Sequence, residues 1–373
     1  MAMGSTTPTP RKLIVVIGVT GNQGGSVASR FLSDPTYRIR GLTRNPASPA
    51  AVALARKGIE IVAADLEDVE SLKKAFEGAN LIFSVTNYWE PFWRPDARAA
   101  AEKKGITCRK WAYEVELRQG KNIADAAGSK GVVEGLDEMG FVASTLSNAK
   151  VCSKGKYQEL YHFDSKAEVF PGYVEEKYPE LAKKMSCVQT GYFMSSYKLA
   201  PGAYFAKVSL NDRFSFGRLL SSQTFPAALM LQPDNSYIQY FPTSPTASVP
   251  HIAINSDLGP FIHGVIRMGP GKHYMAAGTE CSWAEFVATW SRVTGKPARY
   301  QMCGVEDMAA NCPDRMFGEE LADMFDYSSD PGYDGGDKTL LKAEDIRKAG
   351  FECPMTSLEE YFKNENWDIV FNQ

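Results

Sequence analysis

The sequence is short of the residues that most often build cross-links and metal sites. Its seven cysteines are odd in number and scattered, with no C-x-x-C pair among them. They suggest neither a disulfide framework nor a zinc site, and they fit a reducing cytosol or nucleus. Only four histidines occur, His162, His251, His263 and His273, none paired at ligand spacing, so no metal is expected. There is no G-x-S-x-G elbow, which argues against hydrolysis. No apolar run approaches the roughly 18 residues of a membrane span. Neither sign of charge prevails: 41 Lys and Arg face 44 Asp and Glu, a net charge of −3, which gives no broad attraction to nucleic acid or an anionic membrane. Repeats and low-complexity tracts are missing as well. Residues 1–10 are rich in Thr and Pro without an apolar centre, so they read as a disordered lead rather than a signal peptide.

What is present is an ordinary globular composition, 44% hydrophobic and 23% charged over 373 residues, enough for one large domain or two intimate ones. Leu13–Ile17 is an unbroken branched apolar run, as expected of a strand covered on both faces. Further strands are expected at 38–43, 59–63, 81–84, 140–146 and 185–190, alternating with helices at 23–32, 49–57, 69–76, 97–104, 113–127 and 164–178. This alternation implies crossover units and an α/β fold, a doubly wound parallel sheet of Rossmann type over residues 11–190. Beyond residue 190 the pattern loosens into a smaller mixed α/β domain, 191–373, interleaved with the first. It has hairpin-like stretches around 213–216 and 237–241 and helices near 257–267, 282–294 and 357–365. Tyr327–Asp337 is a long loop that either closes over a ligand or is a surface connection.

Gly18, Gly21 and Gly24 stand where the first strand turns into a helix, in the order G-x-x-G-x-x-G. Glycine at such a turn allows a tight bend, a close approach of a pyrophosphate to the backbone and close helix–strand packing, and the helix N-terminus then faces the anion. A dinucleotide is the expected ligand. At the end of the second strand, where an acidic residue would hold an NAD ribose, stands Thr43-Arg44-Asn45. Arg44 offers a charged planar fork for a 2′-phosphate with no nearby carboxylate opposing it, which favours NADP(H). Asp65 and Leu66 follow the third strand where an adenine edge is read, or Asp65 caps the next helix.

With these residues placed, the chain resembles the NmrA-like family, an atypical branch of the extended short-chain dehydrogenase/reductases. The resemblance runs through GVTGNQGG, Thr43-Arg44-Asn45-Pro46, Thr86-Asn87-Tyr88-Trp89, Gln119–Asp125, His162-Phe-Asp-Ser-Lys166, Gly191-Tyr-Phe193 and Asp257–Phe261. It implies NADP(H) held by Thr20, Asn22, Gln23, Gly24, Arg44, Asp65, Thr86, Asn87, Lys166 and the segment Tyr192, Phe193, Met194 and Ser195. The family contains both enzymes and redox sensors that act through a protein partner.

Active short-chain reductases carry a tyrosine four residues before a lysine, the phenol giving a proton and the ammonium holding the ribose. Here His162 precedes Lys166 by that spacing. Its imidazole either donates the proton or is packed at a helix start. Ser147 follows the fifth strand, either as a catalytic hydroxyl or as a loop residue. Tyr88, Trp89, Phe92, Trp93 and Trp111 suit a flat or apolar small-molecule substrate, or else packing between domains. The expectation is an NADPH-dependent reductase; the rival is a sensor. Either is placed in the cytoplasm or nucleus, without direct contact to nucleic acid.

Overall fold

The computed structural model describes residues 10–199, 201–207 and 236–372. Of the expected lead only Pro10 is among them, and the stretch around Arg213–Phe216 lies outside them. Six strands, β1 (Lys12–Ile17), β2 (Tyr37–Thr43), β3 (Glu60–Ala63), β4 (Leu81–Ser84), β5 (Phe141–Thr145) and β6 (Met185–Thr190), fall where the apolar runs place them. They pair parallel in the order β6-β5-β4-β1-β2-β3, the doubly wound arrangement whose strand order reverses between β1 and β4. Leu13, Val15 and Ile17 of β1 point into one apolar layer and Ile14 and Val16 into the other, so the strand is covered on both sides.

The first of those layers packs beneath helices α3 (Val69–Phe76) and α6 (Cys108–Ala127), the second beneath α1 (Asn22–Leu32). Between β2 and β3 lies α2 (Pro49–Arg56). Asn87–Trp93, read from sequence as a loop, contains a helical turn, α4 (Trp89–Trp93), started by the Asn87 side chain accepting from the Trp89 amide at 3.1 Å. After it come α5 (Pro95–Lys104), closed by Gly105 at φ 71°, and α6. Helix α6 begins at Cys108 rather than Tyr113 because the Thr107 hydroxyl caps the Lys110 amide.

The second half returns to the first. His273–Ala276 adds a seventh parallel strand beside β6, and the helix Ile254–Val265 lies against α1, where Gly259 is so close that a Cβ would stand 2.3 Å from the Ser26 carbonyl oxygen. Two small sheets complete this region. In one, Tyr192–Phe193, Val249–Ile252 and Thr279–Cys281 pair; in the other, Tyr237–Phe241 runs antiparallel to Ala206–Lys207 and parallel to Ala298–Met302. Tyr237–Phe241 is therefore a central strand. Between Cys303 and Gly332 stand the helices Val305–Asn311 and Arg315–Tyr327, which the sequence pattern did not single out. No helix among the described residues is long and apolar enough to cross a membrane.

Candidate functional site at the switch point

The chain leaves β1 through Gly18, whose φ of 63° is open to glycine, and the turn closes with the Gly21 amide donating to the Gly18 carbonyl at 2.9 Å. Gly24 packs α1 onto that turn, since a Cβ there would lie 2.3 Å from the Gly18 oxygen. Gly21 begins α1 without a side-chain cap, so the amides of the first helical turn face outward beside exposed Thr20, Gly21 and Asn22. These are the features an anionic pyrophosphate needs. Gln23 is tied to the sheet by accepting from the Ser144 hydroxyl at 2.7 Å.

At the end of β2, Arg44 is half-exposed, but a carboxylate does oppose it: Glu90 of α4 lies 3.0 Å from its Nη1. Separation in sequence hid this pair. Asp65 does not cap α3, because Asp68 does, accepting from the Glu70 and Ser71 amides. Asp65 instead accepts from the Glu67 amide at 3.0 Å and stays exposed, with half-buried Leu66 beside it.

Beyond β4 the polar groups converge on two buried carboxylates. Glu116 of α6 accepts from Lys166 Nζ at 2.5 Å, from the Thr86 hydroxyl at 2.7 Å and from the Ser165 hydroxyl. Lys166 Nζ also donates to the His162 carbonyl at 3.2 Å. Glu320, fully buried on the helix Arg315–Tyr327, takes the other turn of the same helix, Tyr161–Ala167. Its Oε1 lies 2.7 Å from His162 Nδ1 and 2.9 Å from the His162 amide nitrogen, while its Oε2 accepts from Arg109 Nε at 2.8 Å. Burial pushes the Glu320 carboxyl up, yet His162 and Arg109 outweigh it and hold the group below the usual carboxylate range. Arg109 is raised in turn by its carboxylate partners, Glu320 and then Asp323, against the cost of burial. Neither carboxylate was singled out from sequence. Glu116 had a signal, since it sits four residues from both Ala112 and Gly120 on the buried face of α6.

Tyr88 and Phe92 are buried, the Tyr88 hydroxyl donating to the Arg109 carbonyl at 3.1 Å, whereas Trp93 is exposed. The Trp89 ring lies 5.1 Å from that of His162 and 5.3 Å from that of Phe317. Trp111 is not brought into this group; its described ring contact is with the Lys104 ammonium at 5.8 Å, and Phe317 takes the place expected for it. Ser147 is engaged elsewhere: its hydroxyl shares a 2.8 Å bond with the Tyr327 hydroxyl and donates to the Tyr333 carbonyl at 3.1 Å, seating the Tyr327–Asp337 segment. Tyr192 hydrogen-bonds Tyr204 and packs on Trp283, and Met194 is buried with its amide donating to the Ile252 carbonyl. Both side chains therefore turn into an apolar cluster formed with Trp283, Trp290 and Phe325 of the second half of the chain, leaving Phe193 and Ser195 half-buried.

A parallel doubly wound sheet with a glycine turn and an uncapped helix N-terminus at its switch point is a Rossmann-type protein. The chain belongs to the NmrA-like family, whose sequence pattern matches residues 10–362. Among its relatives, the NmrA-like family domain-containing oxidoreductase FrzB of Cladobotryum sp is 26% identical over 301 residues, 78% of this chain and 75% of that protein. The oxidoreductase lnbB of Aspergillus flavus, of the same description, is 25% identical over 374 residues, 96% of this chain and 98% of that one. Solved structures that share the fold include these two. NmrA, a negative transcriptional regulator in complex with NADP, has a TM-score of 0.63 at 18% identity over 95% of both chains. An NADPH-dependent quinone oxidoreductase of Escherichia coli complexed with NADPH has a TM-score of 0.59 at 20% identity, over 94% of this chain and 98% of that one.

Proposed function

We propose that the protein is an NADPH-dependent reductase acting on a carbonyl, imine or conjugated double bond of an apolar small molecule. The observation that carries this reading is the pair His162 and Lys166, one turn apart on one helix, each bound to its own buried carboxylate. The naming of its relatives as oxidoreductases and the NADP and NADPH bound by fold neighbours support it. When bound, NADPH supplies the hydride. The α1 amides with Gly18, Thr20, Gly21, Asn22, Gln23 and Gly24 hold its pyrophosphate, Arg44 its 2′-phosphate, and Asp65 and Leu66 flank its adenine. Thr86, Asn87, Lys166 and the Tyr192–Ser195 segment serve the nicotinamide half.

In this reading Lys166, fixed by Glu116, keeps its ammonium at the nicotinamide ribose. With His162 as the imidazolium, Glu320 accepts a hydrogen bond from Nδ1–H and fixes the ring, and Nε2–H hands its proton to the substrate oxygen or nitrogen, leaving the neutral Nδ1–H imidazole. Trp89 and Trp93 present an apolar face to the substrate. The second reading is an NADP(H)/NAD(P)+ sensor that signals to a protein partner in the cytoplasm or nucleus. It is favoured by His162, four residues before Lys166, where active reductases carry a tyrosine.

The test follows NADPH absorbance with quinones, triphenylmethane dyes and aromatic ketones. Substrate-dependent oxidation is expected, with Lys166→Met and His162→Phe lowering turnover by about 10²-fold or more while NADPH binding weakens far less. NADPH binding without oxidation of any of these probes would overturn the reductase reading in favour of the sensor.

A further inference from the structure

We propose that Arg94 joins Arg44 in a two-guanidinium clamp for the 2′-phosphate of NADP(H), and that Glu90 is the resident anion which the phosphate displaces. The inference rests on the reading of Arg44 above and names the residues that set cofactor preference. Two elements meet at this point: Arg44 follows β2, Glu90 lies within α4 and Arg94 follows α4. One oxygen of Glu90 serves both cations, 3.0 Å from Arg44 Nη1 and 3.8 Å from Arg94 Nη1. The other edge of Arg94 is held by Asp96, which accepts from Nε at 3.0 Å. Asp65, at the end of β3, adds its field to Arg94.

Asp96 and Glu90 together balance the two cations, Asp96 on the Nε–Nη2 edge of Arg94 and Glu90 on the Nη1 groups of both, so a single exchangeable carboxylate serves the pair of arginines. A phosphate monoester, with close to two negative charges and three acceptor oxygens, offers the Arg44 fork and the Nη1 of Arg94 more charge and more acceptors than Glu90 does. The carboxylate and the phosphate repel each other, so only one of them can sit between the arginines. The hydroxyl that NAD carries at the same position is neutral and has no reason to displace Glu90. Glu90 therefore acts selectively against the phosphorylated cofactor, while Arg94 acts selectively for it. Because Glu90 adjoins Trp89, whose ring faces His162, the exchange also joins the phosphate end of the cofactor to the turn at the reacting end.

Calorimetric titration of the full chain with NADP+ and with NAD+ tests this. Glu90→Gln, which keeps the shape and removes the charge, is expected to tighten NADP+ about fivefold or more with NAD+ changed less than about twofold. Arg94→Ala is expected to weaken NADP+ about tenfold, again sparing NAD+. Adenosine 2′,5′-bisphosphate against adenosine 5′-monophosphate should repeat the pattern without the nicotinamide half. If the parent binds NADP+ but both variants shift the two cofactors equally, or neither, the clamp is overturned while the reductase reading stands. If the parent binds neither nucleotide, both fall.

Discussion

At the residue scale, Asp164 shows what burial does to a single carboxyl. It lies between His162 and Lys166 in sequence but turns away from both, accepting the Lys150 amide at 3.2 Å. Burial pushes its pKa up to about 6, against the pull of the Lys150 and Ala149 amides, which favour the charged form. In the unfolded chain the group titrates near 3.9. Between those two values the folded protein holds a proton that the unfolded chain releases, so stability falls as pH rises through that window and levels off above it. The loss is about 3 kcal/mol. Asp164→Asn keeps an acceptor for the amide and removes the charge. It is expected to melt higher than the parent at pH 7.5 and to lose that advantage near pH 4.5. A melting difference of equal size at both pH values would show that this carboxyl does not titrate as described.

At the scale of the element, the β1–α1 turn separates the glycine that serves the fold from the glycine that serves the ligand. A side chain at Gly24 meets the Gly18 carbonyl at 2.3 Å, whereas one at Gly21 meets the same oxygen at 3.3 Å and otherwise faces outward. Gly24→Ala should therefore lower the melting temperature with or without nucleotide. Gly21→Val should leave the apo protein nearly as stable but abolish the rise in melting temperature produced by NADPH. Full thermal stabilisation by NADPH in Gly21→Val would reduce the loop to a mere turn. This turn was legible from sequence because its constraints are local: a buried strand, three spaced glycines and a helix within a few residues. The helix Arg315–Tyr327 was not, although Asp314 caps it, because its buried face carries Gly318 and Glu320 and so blurs the apolar period. Glu320 and Glu90 escaped for the related reason that their partners, His162 and Arg44, lie far away along the chain.

At the scale of the molecule, the division at residue 190 is a division of sequence pattern more than of packing. The strand His273–Ala276 closes the edge of β6 through register pairs from Cys187 with His273 to Thr190 with Ala276. The helix Ile254–Val265 buries Ile254, Leu258, Phe261, Ile262 and Val265 in the same layer as Ile14, Val16, Val27 and Phe31. At about 1.5 to 3 kcal/mol for each fully buried large apolar side chain, those five alone are comparable with the whole net stability of a domain, about 5 to 15 kcal/mol. A fragment ending at Thr190 would expose that layer along α1 and leave β6 as a bare edge open to pairing with other chains. Residues 11–190 expressed alone are therefore expected to aggregate, or to melt without a cooperative transition, while the full chain unfolds sigmoidally. The comparison is a thermal melt followed by circular dichroism together with an amide NMR spectrum. A sigmoidal melt and dispersed amide signals from the isolated fragment would show that the sheet folds without the second half, and that His273–Ala276 and Ile254–Val265 are additions to a finished core.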